Sequence, residues 1–215
     1  MKLFEGTKSY AGRMAIKKKV SATKRELAVC NLKDAKKVGI LFNATHMVSF
    51  EIIKDFVKQI STKENKISVL GYVHSKKLID HYLYRKGFDF FTRNELNWFY
   101  KPTSESVQEF IKTPFDLLIN LNLEEYYPIK YILAVSKARF KVGKYSEGQA
   151  FLDFMIDIEK EKETMENLKK EIEANSQKNG RNKELESIAD EKARTEIQLN
   201  FLINQLVHYL SVIKK

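Results

Sequence analysis

FDLLINLNLEEYYPIKYILAVSKARFKVGKY, Phe115 to Tyr145, decides the fold. A short, nearly continuous apolar run ends in Asn120 and Asn122, a helical run follows, and a second strand-like segment, Phe140 to Val142, closes on Gly143. That order is strand, crossover helix, strand. A strand that is apolar on both faces is one buried between helix layers, so the unit predicts a layered α/β domain with parallel strands.

Upstream, the alternation repeats. Lys37 to Asn43 (KVGILFN) reads as a first core strand, and Ser49 as the N-cap of a helix whose apolar face is Phe50, Ile53, Val57 and Ile60 with Ile52 and Phe56. Lys66 to Val73 (KISVLGYV) reads as a second strand, and Ser75 caps a short helix through Tyr84. Phe88 to Phe91 gives a third strand. Asn94 to Pro102 (NELNWFYKP) reads as an aromatic loop carrying the only tryptophan, and Ser106 with Glu109 as a capping box for a helix ending near Lys112. Downstream, Phe151 to Ile158 is read as a last strand. Glu159 to Arg194 is rich in Glu and Lys, and from Ile197 a three-to-four spacing of Leu199, Ile203, Leu206, Leu210 and Ile213 marks a helix docking one face.

The expected fold is therefore a three-layer Rossmann-like α/β domain with a mostly parallel sheet of about five or six strands. A basic helical arm over 1–37 precedes the α/β domain over 38–158. A charged helical insertion over 159–194 and a C-terminal helix over 195–215 follow it.

Charge is the second signal. Through Lys37 there are eleven Lys or Arg against three acids, 11 − 3 = +8 of the net +10, leaving +2 for everything after. Lys8, Arg13, Lys17, Lys18, Lys19, Lys24 and Arg25 are the candidate contacts of such an arm with phosphate-rich partners, RNA or the ribosome, where each neutralised phosphate releases counterions. The competing reading is a solvated basic helix packed on the domain edge. A protein partner is assigned to the C-terminal helices. One cysteine, Cys30, forms no internal disulfide, and no run approaches the roughly 20 apolar residues of a membrane helix, so a cytoplasmic protein without a transmembrane segment is expected.

Signatures of familiar chemistry are missing. Neither G-x-G-x-x-G nor G-x-x-x-x-G-K-[ST] occurs, and the first strand ends in FNATH. His46, His74, His81 and His208 are scattered without H-E-x-x-H or Cys/His spacing, and no G-x-S-x-G occurs. No catalytic residue, metal or cofactor is expected. What remains is geometry: in open parallel sheets ligands bind beyond the carboxyl ends of the strands. Those ends carry Asn43, Thr45 and His46, then Tyr72 and His74, then Asn120, Asn122 and Glu124, a polar set able to hydrogen-bond a sugar or nucleotide. The same residue types also close turns and cap helices by bonding nearby backbone. Trp98, with Phe99 and Tyr100, offers faces that stack on a base or sugar ring or plug the edge of a core.

The segments FDLLINL, SKARFKVG, KVGILFNAT and LNWFYKP together resemble a family of small uncharacterised cytosolic proteins of Bacteroidota, from about Leu3 to Tyr145 and again in the C-terminal helix. That resemblance implies no activity. More locally, FDLLINLN and AVSKARFKVGKY are similar to the N-terminal half of lipopolysaccharide heptosyltransferases of the GT-B class. This implies a sugar- or nucleotide-binding scaffold without the second domain that such transfer requires. Two functions are expected in order: a non-catalytic binding protein associated with RNA or the ribosome, then a degenerate glycosyltransferase-like domain. A structural protein-interaction module stands behind both.

Overall fold

A computed structural model describes Gly12, Met14, Ile16 and residues 25–78, 80–82, 87–147, 151–158 and 183–214. Six strands are named: β1 Lys37–Asn43, β2 Lys66–Val73, β3 Phe88–Thr92, β4 Leu117–Asn120, β5 Phe140–Lys144 and β6 Phe154–Ile156. Four helices accompany them: α1 Met47–Ile60, α2 Glu105–Lys112, α3 Tyr127–Val135 and α4 Lys183–Val212. All pairings are parallel, and the spatial order is β3-β2-β1-β4-β5-β6. This is the doubly wound order, and the fold is the three-layer α/β one the sequence predicts.

Successive strand residues face opposite layers because the strand period is two. Val38, Ile40 and Phe42 of β1 join Leu117 and Ile119 of β4 against Phe50, Ile53 and Phe56 of α1 and Leu199, Leu202 and Leu206 of α4. Leu41, Leu70 and Leu118 turn to the other layer, against Val107 and Phe110 of α2 and Ile129, Ile132 and Leu133 of α3. Ile16 of the N-terminal helical segment is buried in that second cluster, and Tyr127 Oη donates to the Gly12 carbonyl. Each fully buried Leu or Ile in these layers contributes roughly 1.5–3 kcal/mol.

Several boundaries differ from expectation. α1 begins at Met47 with His46 as its N-cap, so Ser49 sits buried in the first turn, its amide donating to the His46 carbonyl at 3.2 Å. α2 begins at Glu105 behind Ser104, displacing the expected Ser106 cap. The reciprocal capping box belongs instead to Thr92 and Glu95, at a 3₁₀ turn after β3. After Ser75 the described residues form a 3₁₀ turn, Asp80–Tyr82. β6 covers three residues of the strand expected over Phe151 to Ile158. α4 runs unbroken across the boundary expected at 194–195. The stretch before β1 is knitted into the domain: Ala28 N donates to Arg139 O at 3.2 Å, and Leu32 N to Leu210 O at 3.0 Å.

Candidate ligand-binding crevice at the carboxyl edge

From β1 the chain crosses to β2 over the α1 face. From β4, the other neighbour of β1, it crosses to β5 over the opposite face, so the two connections part above the carboxyl ends of β1 and β4. In open α/β sheets that divergence makes the ligand crevice. Sequence-expected residues meet there. Asn43 Oδ1 accepts from Thr45 N at 2.9 Å, and Asn43 Nδ2 donates to Tyr126 Oη at 3.3 Å. Tyr126 in turn donates to the Glu124 carboxylate. Thr45 Oγ1 accepts from His74 N at 2.9 Å, fastening the end of β1 to the end of β2.

His74 Nδ1 lies 3.0 Å from Tyr72 Oη. Burial pushes the Tyr72 phenol up to about 12, so it stays protonated and donates. Burial, with the nearby Arg93 cation, holds the His74 imidazole below its usual value and keeps it neutral at pH 7. A neutral imidazole that accepts the phenol proton on Nδ1 carries its own proton on Nε2. The Tyr126 ring packs against both, 4.9 Å from His74 and 5.4 Å from Tyr72.

Asn120 and Asn122 are buried at the end of β4. Asn122 Nδ2 donates to Leu41 O at 3.1 Å and to Asn120 Oδ1 at 2.6 Å. Two acceptors on one side fix the amide orientation, because a flip would set oxygen against oxygen. Asn122 Oδ1 is then left buried with no donor in a residue only 4% exposed. Both asparagines line a cavity of about 20 Å³ with Glu124, Tyr126, Lys130, Lys144 and Ser146. That volume holds one water or one hydroxyl group. Lys130 pairs with Glu125, which also accepts from Ser146, and Lys144 Nζ donates to Leu123 O at 2.7 Å.

Two expected residues lie elsewhere. His46 is turned toward α4, 3.9 Å from Glu191, at the mouth of a groove of about 960 Å³ between α1 and α4 floored by Met47, Ile52, Phe56 and Ile203. Trp98 stands on the loop after β3, 63% exposed. Of the arm cations, Lys8, Arg13, Lys17, Lys18, Lys19 and Lys24 lie outside the described residues, as does the His81 side chain. Arg25 makes a two-point ion pair with Asp153 and donates to Ala138 O and Arg139 O at 3.3 Å, so its donors are held within the domain edge.

The sequence reading did not single out Tyr126, Lys144 or Lys141. Lys141 had a visible signal, a cation in the middle of a strand read as buried on both faces. It is 2% exposed, and its ammonium donates to Leu133 O at the end of α3. Among the described residues no three His, Cys, Asp or Glu gather as a metal site requires, and no helix is long and apolar enough to cross a membrane.

No curated protein and no solved structure matches the chain. The model of a family of unknown function (DUF6913) matches residues 8–174, most of the chain, and the chain belongs to that family.

Proposed function

We propose that this protein binds, without transforming it, a ligand of the nucleotide or sugar class at the carboxyl edge where β1 and β4 part. The observation that carries the reading is the Asn122 carboxamide oxygen, buried without a donor beside a cavity of one hydroxyl's size. An orphaned buried acceptor costs about 1–3 kcal/mol, a cost that a ligand hydroxyl placed there removes. The Glu124 carboxylate lines the same cavity and accepts from Tyr126, whose ring packs against the Tyr72–His74 pair. The sugar half of the reading is the one suggested by the heptosyltransferase-like segment Phe115 to Tyr145.

A thermal-shift titration with nucleoside phosphates and with free sugars tests it. Saturable stabilisation is expected, about 2.7 kcal/mol at a hundredfold excess over Kd, and lost in the edge variants His74→Ala and Glu124→Gln. No shift at millimolar concentration with any member of either class would sink the proposal.

A second reading is favoured by the concentration of +8 in the first 37 residues: RNA or ribosome association through the basic N-terminal segment in a reducing cytoplasm, with a protein partner on the C-terminal helices. If about five phosphates are neutralised on a single strand, log affinity falls with log salt with a slope near −3.5. Replacing Lys17, Lys18 and Lys19 by Gln should flatten that slope by about 2; an unchanged slope would refute the arm.

A further inference from the structure

The loops that follow β2 and β3 are joined at the carboxyl edge: Arg93 N donates to Ser75 O at 2.8 Å, and Asn94 Nδ2 to Lys76 O at 2.7 Å. They bring together Lys76, Lys77 and Arg93, all exposed, and Lys101, whose ammonium lies 5.7 Å from the centre of the Tyr131 ring. Among the described residues none of these four cations has a carboxylate within ion-pair distance. Glu95 is engaged within its own turn, accepting from both Thr92 N and Thr92 Oγ1.

Above this cationic corner the loop tip is locked. Asn97 Oδ1 accepts from Phe99 N at 3.2 Å and Lys101 N at 3.0 Å, Asn97 O accepts from Tyr100 N, and Leu96 bridges Pro102. Thr103 closes the base through two bonds to Glu95 O at 2.9 Å. Tyr100 is held at φ 64°, a left-handed conformation that a bulky residue adopts at a cost of roughly 1–2 kcal/mol. Among the described residues the Trp98 indole pairs near-perpendicularly with the Phe99 ring at 5.2 Å, and Trp98 is 63% exposed. An exposed aromatic carried on a hydrogen-bonded loop gives up less backbone entropy on meeting a flat partner than one on an open loop. Along the chain Trp98 stands between Arg93 and Lys101, and Arg93 is bonded to the loop that carries Lys76 and Lys77. That combination fits a flat ring joined to phosphates and does not fit a hydrophobic protein surface.

We infer that this corner is a platform for single-stranded nucleic acid, with one base stacked on Trp98 and flanking phosphates on Lys76, Lys77 and Arg93. A duplex is excluded by the same geometry, since its base faces are already stacked on one another. The inference supplies a second contact for the RNA reading above and stands apart from the Asn122 crevice, whose failure leaves it untouched.

Trp98 is the only tryptophan in the chain, so emission excited at the red edge of the indole band, where tyrosine does not absorb, reports on this residue alone. The full-length protein is titrated with RNA and DNA strands of about 10 nucleotides, within the site size of such platforms. Duplex RNA and polyphosphate are titrated in parallel, and affinities are repeated with end-labelled strands. Saturable quenching by single strands is expected, and none by duplex or polyphosphate. Trp98→Leu should weaken labelled-strand binding about five- to a hundredfold, the span of a single base stack. Arg93→Gln and Lys77→Gln should each reduce the salt slope by about 0.7. The Lys17, Lys18 and Lys19 variant, retaining the platform, should keep its full quenching amplitude. Stronger quenching by RNA than by DNA, or the reverse, assigns the sugar. The inference is overturned if labelled strands bind Trp98→Leu with undiminished affinity, if polyphosphate quenches as RNA does, or if no strand binds. Because Trp98 is exposed, a folding defect is not expected, and Trp98→Phe, which retains a stacking face, should recover most of the affinity.

Discussion

Replacing Lys141 by Met should stabilise the protein at neutral pH, although it deletes a hydrogen bond. Lys141 is the second residue of β5, 2% exposed, with Nζ 2.6 Å from Leu133 O and its own amide donating to Asp153. Burial, reinforced by the Arg25 cation, pushes its ammonium down to about 8, while Asp153 opposes the shift only in part. A lysine whose folded pKa lies below its unfolded value of 10.5 is charged at a cost in the native state. A displacement of about 2.5 units corresponds to about 3 kcal/mol, an order-of-magnitude figure, fully present below pH 8. Met fills similar volume without charge. It forfeits the bond to the Leu133 carbonyl, worth about 1–2 kcal/mol, so a net gain of about 1–2 kcal/mol is expected.

The pH profile separates this from a general packing effect. Between about pH 8 and 10 the unfolded chain binds the extra proton, so the unaltered protein should gain about 2 kcal/mol across that window, and Lys141→Met should not. Above pH 10 the order reverses. Tyr72, Tyr82 and Tyr127, raised to about 12 by burial, keep protons in the fold that the unfolded chain releases, and both proteins then lose stability. Urea unfolding followed by circular dichroism at intervals from pH 7 to 11 reads both limbs. A flat profile for the unaltered protein from pH 8 to 10, together with a destabilised Lys141→Met, would show that the ammonium is adequately solvated and would refute the reasoning.

Three further substitutions probe the frame of the edge. Gly143→Ala would place a Cβ 2.7 Å from the Asn120 backbone oxygen, inside a strand pair that cannot give way, so a loss of about 1–3 kcal/mol in thermal unfolding is expected, against none if the ladder can slide. Asn97→Ala removes the acceptor of two loop amides and should cost about 1–2 kcal/mol with a change in the Trp98 emission maximum, whereas an unchanged spectrum would mean the loop is held by its backbone alone. Tyr82→Phe deletes the buried 2.7 Å bond from Tyr82 Oη to the Ala44 carbonyl, which follows β1 directly, and a loss of about 1 kcal/mol is expected from urea midpoints. No change in that midpoint would place another donor on the Ala44 carbonyl.

The layers were legible in the sequence because burial on both faces writes itself into short continuous apolar runs, which β1, β2 and β4 have and a surface strand does not. Where local signals competed, the structure chose by packing. Ser49 has the chemistry of a cap, but the helix starts three residues earlier because its face must carry Phe50, Ile53 and Phe56 into the core. The candidate site was legible only as a set of strand ends. Its wiring was only partly so: bonds between residues two apart, such as Asn43 to Thr45, are local, but those that assemble the site join distant segments, His74 to Thr45 across 29 positions, Asn122 to Leu41 across 81 and Asn43 to Tyr126 across 83. Those partners become neighbours only once strand order is known. His46 departs from its expected companions because, as the N-cap of α1, it is placed by that helix and lies 3.9 Å from Glu191 of α4. Asn120 is held at the crevice by the register of β4 with β1, while Lys76, Lys77 and Arg93 lie on the loops that follow β2 and β3, which are bonded to each other. On the two proposals the crevice would take hydroxyls and the β2–β3 loops phosphates, so a molecule carrying both, joined by a flat ring, would use the whole edge.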